Sequence, residues 1–359
     1  MIEFEQRSQG VAATLAGHKI DALLVTSPAN IRYLTGYTGS NGLVLVAGSF
    51  LYFFTDPRYA TETKGNIYGK VQVCKGPLID FAARVLKSKR LKRIGFEPGH
   101  MNVEQHEKLR KALPAGFALK AIAGVVEALR SIKSASEIVK IRASVQANSE
   151  AYFRTLKRIR LGARERDVAA ELDFQMRVLG AEKPAFDTIV ATGERTALPH
   201  AHPTGRRLED NEFLLVDMGA TLDGYTSDMT RMSYMGVPSK RNRALYKAVL
   251  EAQLAGLDAV RAGVPASRVD AACREVLKRH ELDHAFVHST GHGLGLEIHE
   301  GPRIARKEQS KLQAGMVITI EPGAYIEGLG GVRIEDTVLV TERGCEVLTP
   351  TSKELIQLS

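Results

Sequence analysis

Apolar and polar positions alternate in short blocks along the first third of the chain. DALLV (21–25), GLVLVA (42–47), LYFFT (51–55), KVQVC (70–74) and RIGFE (93–97) are apolar runs of strand length. Between them, LIDFAARVLKSK (78–89) and NVEQHEKLRKAL (102–113) carry apolar residues at helical spacing. This alternation predicts an α/β domain over residues 1–130 with a mostly parallel or mixed sheet. The pattern changes near 129–136, where Ser134-x-x-Glu137 has the form of a capping box opening a long helix. Beyond it, helices at about 135–160, 164–180, 239–261 and 266–280 alternate with strand regions. Residues 131–359 are therefore expected to form an α+β domain, with helices on one face of an antiparallel sheet.

Two stretches of the second domain read as copies of one unit. LEDNEFLLVDMGA (208–220) and LQAGMVITIEPGA (312–324) each run from a Leu through an apolar block to an acid, then x-Gly-Ala. The acids are Asp217 and Glu321, each nine residues after its Leu. Upstream, LGARERDVAAEL (161–172) resembles AGVPASRVDAAC (262–273), with Gly162 and Gly263 each six residues before a Val. A duplicated unit that brings two acids towards a shared axis is a way to build a paired-metal site.

Composition narrows the class. The 359 residues are 44% apolar and 25% charged, as in ordinary globular proteins. No run of 18 apolar residues suggests a membrane span, and the start MIEFEQRSQG is too polar for a signal peptide. Cys74, Cys273 and Cys345 form no CxxC pair, so reduced thiols in a cytoplasmic protein are expected. The net charge of +8 raises a nucleic-acid reading. The basic residues are scattered, as in KSKRLKR and KRIRLGARER, with no nucleic-acid motif, so no such partner is expected.

The chemistry concentrates around the repeated acids. Apolar residues precede Asp217 and Glu321 on both strand faces, and a buried carboxylate must be paired, protonated or bound to a cation. Asp228 follows Asp217 by 11 residues and Glu335 follows Glu321 by 14, spacings that suit a returning hairpin. Alternation places Arg333 and Glu335 on one strand face. HSTGHGLGLEIHE (288–300) adds His288, His292 and His299 among three glycines. An extended backbone would hold His292 and His299 about 23 Å apart, so the stretch must turn if both serve one site. His200 and His202, in LPHAHP, are further candidates, with His202 more simply a surface residue. Four carboxylates without a Cys favour a hard or borderline divalent cation.

In order and context, Asp217, Asp228, His292, Glu321 and Glu335 resemble the five metal ligands of the pita-bread metallopeptidases. That family includes methionine aminopeptidase, aminopeptidase P and prolidase. The resemblance covers about residues 135–350. NIRYLTGYTGSNG (30–42) and TDPRY (55–59) further resemble the creatinase-type N-terminal domain of the proline-peptidase branch. The implied architecture is an α/β creatinase-like domain plus an α+β pita-bread domain with an internal pseudo-twofold repeat.

The resemblance implies two divalent ions per chain, Mn²⁺ first, with Co²⁺ or Zn²⁺ as alternatives. It assigns Asp228 and Glu335 to bridge them, Asp217 to one ion, and His292 and Glu321 to the other. His200 and His299 would contact substrate, His288 would line a proline-side pocket, and Tyr325 and Arg333 would lie near the substrate. Glu321 would shuttle a proton. The expected partners are proline-containing peptides or dipeptides and a second copy of the chain in a homodimer. The N-terminal motifs favour aminopeptidase P over a strict Xaa-Pro dipeptidase, which would need a cation such as Arg333, Arg32 or Arg58 for the substrate carboxylate. A catalytically dead binding module and a metal-free creatinase-like hydrolase are the remaining alternatives, and the complete ligand set argues against both.

Overall fold

The apolar blocks of the first third become the centre of a six-stranded sheet. A computed structural model describes residues 2–358 and divides into two units, Met1–Arg130 and Ser131–Ser359. In the first unit the strands run in the order Lys70–Val73, Phe50–Thr55, Gly42–Ala47, Ala22–Val25, Arg93–Phe96, Ala118–Ala121. The sheet is mixed. Gly42–Ala47 is antiparallel to both neighbours, and the remaining pairs are parallel. Helices Leu78–Ser88 and Val103–Ala112 lie where their apolar spacing predicts. Helix Pro28–Thr35 and strand Ala118–Ala121 are additions, the first too short and the second too polar to announce a period.

The second unit opens with the expected capping box. Ser134 Oγ accepts from the Glu137 N–H, and the Glu137 carboxylate accepts from the Ser134 N–H. Helices Ala135–Leu156 and Glu165–Val178 form one pair, and Lys240–Ala259 and Ala266–Arg279 form another.

The repeat is written into the backbone hydrogen bonds. Gly162 N–H donates to the Leu208 carbonyl at 2.8 Å, and Leu208 returns its own N–H to Ala163. Gly263 donates to Leu312 at 2.8 Å, and Leu312 returns its N–H to Val264. One residue pair outward, Glu165 N–H to Arg206 has its counterpart in Ala266 N–H to Ser310. Gly162 and Gly263 hold φ of 83° and 84°, a left-handed conformation that costs a glycine little.

Strand Phe213–Met218 lies between the two layers of helices. Leu214, Val216 and Met218 pack with the first helix pair, while Phe213 and Leu215 pack with the second. Both faces are covered, so the strand reads as a continuous apolar run. By alternation Asp217 continues the Phe213–Leu215 side. Helix Lys240–Ala259 approaches the second repeated strand at Gly256, where a Cβ would stand 2.6 Å from Cys273 Sγ and 2.9 Å from the Ile320 side chain.

Asp228 and Glu335 both lie on returning segments, but they do not occupy matching places in the two hairpins. Asp217 pairs across its hairpin with Thr230, whereas continuing the Ile320–Asp336 pairing sets Glu321 opposite Glu335. Glu335 thus stands where Thr230 stands. Nor do Arg333 and Glu335 share one strand, because pairing stops at Arg333 and resumes at Asp336.

Candidate active site

One cavity of about 550 Å³ in the second unit is lined by Asp217, Asp228, His292, Glu321 and Glu335. Asp217 projects from strand Phe213–Met218. Asp228, Glu321 and Glu335 each fall in a two-residue break between strands, where the backbone can turn its side chain inward. His292 is the middle residue of strand Gly291–Gly293. Single donor atoms of Asp228, His292 and Glu335 lie within 4.8 Å of one another. His292 Nε2 is 3.6 Å from Asp228 Oδ2 and 3.5 Å from Glu321 Oε1.

The electrostatics of this set call for cations. Burial, then repulsion from neighbouring carboxylates, holds Asp228 and Glu335 well above the usual carboxylate range. Burial pushes Glu321 up to about 7, against the pull of Arg333. Asp217 Oδ1 and Asp228 Oδ1 are buried without a hydrogen-bond partner among the described residues. Burial also lowers the pKa of His292, favouring the neutral ring. Its Nδ1 donates to the Gly293 carbonyl at 3.0 Å, which leaves a lone pair on Nε2 facing two carboxylate oxygens. The geometry suits divalent cations shared among the oxygens and Nε2, and the all-oxygen-and-imidazole donor set suits a hard or borderline ion.

Around this floor runs a hydrogen-bonded wall. Arg333 Nη2 donates to Asp217 Oδ2 at 2.6 Å, and Nε donates to Thr230 Oγ1 at 3.0 Å. Its Nη1 donates to the Tyr325 hydroxyl and the Pro199 carbonyl. Thr230 in turn donates to Glu335 Oε2 at 2.8 Å. Arg333 is therefore committed to holding the acids. Arg333 also lines the cavity beside these acids. Tyr325 connects Arg333 to His288, whose Nε2 lies 2.9 Å from the hydroxyl. Burial lowers the His288 pKa to about 4.

The turn required between His292 and His299 is present. Residues 294–299 leave the strand, and the two rings meet edge to face with centroids 4.5 Å apart. The glycines serve close approach rather than unusual dihedrals. Cβ atoms at Gly291 and Gly293 would overlap the Thr319 and Gly301 carbonyls, and neither glycine has positive φ. His200 and His299 line the cavity, while His202 is exposed outside it.

Sequence reasoning missed three contributors. Phe186, Ile189, Pro199 and Ile298 give the cavity an apolar side. Thr230 links Arg333 to Glu335. Arg303 lines the cavity from the strand position opposite His292, and no carboxylate among the described residues pairs with it. Its sequence context, HEGPR, carries no periodic signal, and only strand pairing brings it to the site. Arg58 is already held by Asp56 through two bonds of 2.9 and 2.8 Å.

The profile of metallopeptidase family M24 matches residues 139–342, and that of the creatinase/prolidase N-terminal domain matches residues 7–132. The chain belongs to metallopeptidase family M24. It is 37% identical over 353 residues to the Xaa-Pro dipeptidase of Pyrococcus furiosus, covering 98% of this chain and 100% of that protein. The structure of the Xaa-Pro dipeptidase from Bacillus anthracis superposes with a TM-score of 0.96 at 37% identity, over 99% of this chain and 100% of that one. That of the X-Pro aminopeptidase from Thermotoga maritima gives 0.90 at 34% identity, over 95% of this chain and 98% of that one. These matches establish a metal-dependent peptidase of the pita-bread fold with a creatinase-type N-terminal domain. No described helix is long and apolar enough to cross a membrane.

Proposed function

We propose that this chain is an Xaa-Pro dipeptidase whose hydrolytic centre is Asp217, Asp228, His292, Glu321 and Glu335, holding two divalent ions, Mn²⁺ first. The observation that carries the substrate reading is Arg303, an uncommitted guanidinium at the wall of the cavity that holds this acid set. A dipeptide presents its C-terminal carboxylate one residue beyond the scissile bond. Arg303 pairs with that carboxylate. A longer peptide puts an amide there and leaves the cation without its partner.

The cations, when bound, lower the pKa of a water and polarise the scissile carbonyl. The chain's own residues do the rest. Arg333 and Thr230 orient the carboxylates of Asp217 and Glu335. A proline amide lacks an N–H, so recognition falls to shape: the His288 ring, packed edge-on against Phe286 and tilted against Tyr325, forms the proline-side wall. His200 faces the substrate backbone. His299 donates to the oxyanion that develops at the carbonyl. Glu321, whose Oε1 accepts from Thr319 Oγ1, carries the proton to the leaving proline nitrogen.

The expected preference for aminopeptidase P gives way here. The Pyrococcus and Bacillus relatives are both named Xaa-Pro dipeptidases, and Arg303 supplies the cation that the motifs alone did not reveal. The Thermotoga relative, an X-Pro aminopeptidase, keeps the longer substrates in the test. Chromatography of products from Leu-Pro and Leu-Pro-Gly after Mn²⁺ loading decides between them. The expected result is cleavage of Leu-Pro alone; release of leucine from Leu-Pro-Gly at a comparable rate contradicts it. Arg303→Ala should raise KM for Leu-Pro by about tenfold or more, the loss expected for a hydrogen bond to a charged group.

A further inference from the structure

Helix Ala266–Arg279 sends one side chain under the loop that carries His288. Arg274 Nε donates to Asp270 Oδ2 at 2.7 Å and Nη2 to Asp270 Oδ1 at 3.2 Å, so the two residues lock as an i, i+4 pair. Their side chains are 15% and 1% exposed. The remaining donors point at backbone. Nη1 reaches the Phe286 carbonyl at 3.0 Å, and Nη2 reaches the His288 carbonyl at 2.6 Å. The guanidinium also stacks 4.1 Å from the centroid of the Phe286 ring. Asp270 Oδ1 accepts a further bond from Thr290 Oγ1 at 2.8 Å, two residues past His288.

One carboxylate and one guanidinium therefore fix the backbone at Phe286 and His288 and the side chain of Thr290. The His288 ring is left with few places to go. Its Nδ1 meets the Ser289 carbonyl at 2.8 Å and its Nε2 meets Tyr325. The device belongs to the second half of the repeat alone. The equivalent positions in helix Glu165–Val178 are Ala169 and Asp173, which cannot form it. The first half anchors its own histidine loop differently. Glu165 accepts from Thr192 and Thr204 on either side of His200, and Arg195, bonded to Glu165, donates to the His202 carbonyl at 2.7 Å.

We infer that Arg274, held by Asp270, is the positioning residue that fixes the His288 wall of the cavity and so sets affinity for the proline side of the substrate. This inference rests on the Xaa-Pro reading of the site. Arg274 touches no reacting atom and none of the five acid-site residues, so its loss should act on binding rather than on turnover. A lysine keeps the charge but cannot pair with Asp270 in a bidentate way while reaching two carbonyls.

The test combines steady-state kinetics on Leu-Pro, metal content, and the ring-nitrogen spectrum of ¹⁵N-histidine-labelled protein, with His288 assigned by its absence in His288→Gln. Arg274→Lys should raise KM by about tenfold with kcat within about threefold, the signature of lost binding that is shared by ground and transition states. Metal content should stay unchanged, and the His288 signal should move. An unmoved signal with unchanged KM overturns the inference, as does a joint fall in kcat and metal content. If Arg274→Lys does not fold, Asp270→Asn is read the same way, and an unchanged KM and signal in that variant overturns the inference too. A wild-type protein that leaves Leu-Pro intact defeats the substrate reading instead, and the ring spectrum then decides the positioning role by itself.

Discussion

His288 carries a pH signature of its own. Burial lowers its pKa from an ordinary 6.5 to about 4, so the folded chain keeps the ring neutral where the unfolded chain protonates it. The stabilisation from a neutral ring is complete above pH 6.5 and is lost as pH falls towards 4. His288→Gln removes this dependence. Urea midpoints of metal-free protein across that window should fall less steeply for the variant than for the wild type, and parallel curves would contradict the assignment. His299 makes a different prediction. It sits beside His292 without bonding to the acids, so His299→Ala should cut kcat by about 10²–10³, the usual cost of losing one oxyanion donor, and leave metal content intact. Elemental analysis checks this: a variant short of metal would make His299 a ligand. At this scale the sequence was most informative where residue type decides. Buried acids after apolar runs and histidines among glycines were visible as chemistry. Arg303 was not, because an arginine after His-Glu-Gly-Pro announces nothing until strand Glu300–Ile304 lays it opposite His292.

Among the elements, the glycine-bounded strand Gly291–Gly293 is the most demanding. A Cβ at Gly293 would meet the Gly301 carbonyl, a backbone atom that cannot swing aside. Gly293→Ala should therefore cost about 1–3 kcal/mol, as overpacking does, and displace His292 with it. Thermal unfolding and metal content should fall together in this variant; normal values for both would show that the strand pair has slack. The periodicity that predicted the long helices held because each packs one face and exposes the other, and the buried strand Phe213–Met218 read as a continuous apolar run because both its faces are packed. The same reasoning failed at Glu335. Strict alternation assumed a continuous strand through Arg333 and Glu335, but pairing breaks for two residues and the site uses the break. Asp228 and Glu321 also sit in two-residue breaks between strands, so the irregular backbone that carries these acids was the part least legible from period.

The whole second unit is a duplicated frame with unequal halves. Matching hydrogen bonds at Gly162–Leu208 and Gly263–Leu312 give the two arms the same frame, and the repeat was readable because a left-handed glycine and a fixed distance from Leu to acid occur in both. The halves differ outside these anchors: the first carries Asp228 beyond Leu208, and the second carries His292 with its turn before Leu312. In the proposed function this frame holds two cations between its halves. Titration of metal-free protein with Mn²⁺, following Leu-Pro hydrolysis and bound metal at each addition, tests it directly. Activity should rise from the baseline and saturate at about two ions per chain, as a two-metal hydrolase requires. Asp228→Asn should bind less metal and stay inactive, while His202→Ala should follow the wild type. Full hydrolysis by metal-free protein, or an Asp228→Asn protein that titrates like the wild type, would contradict it.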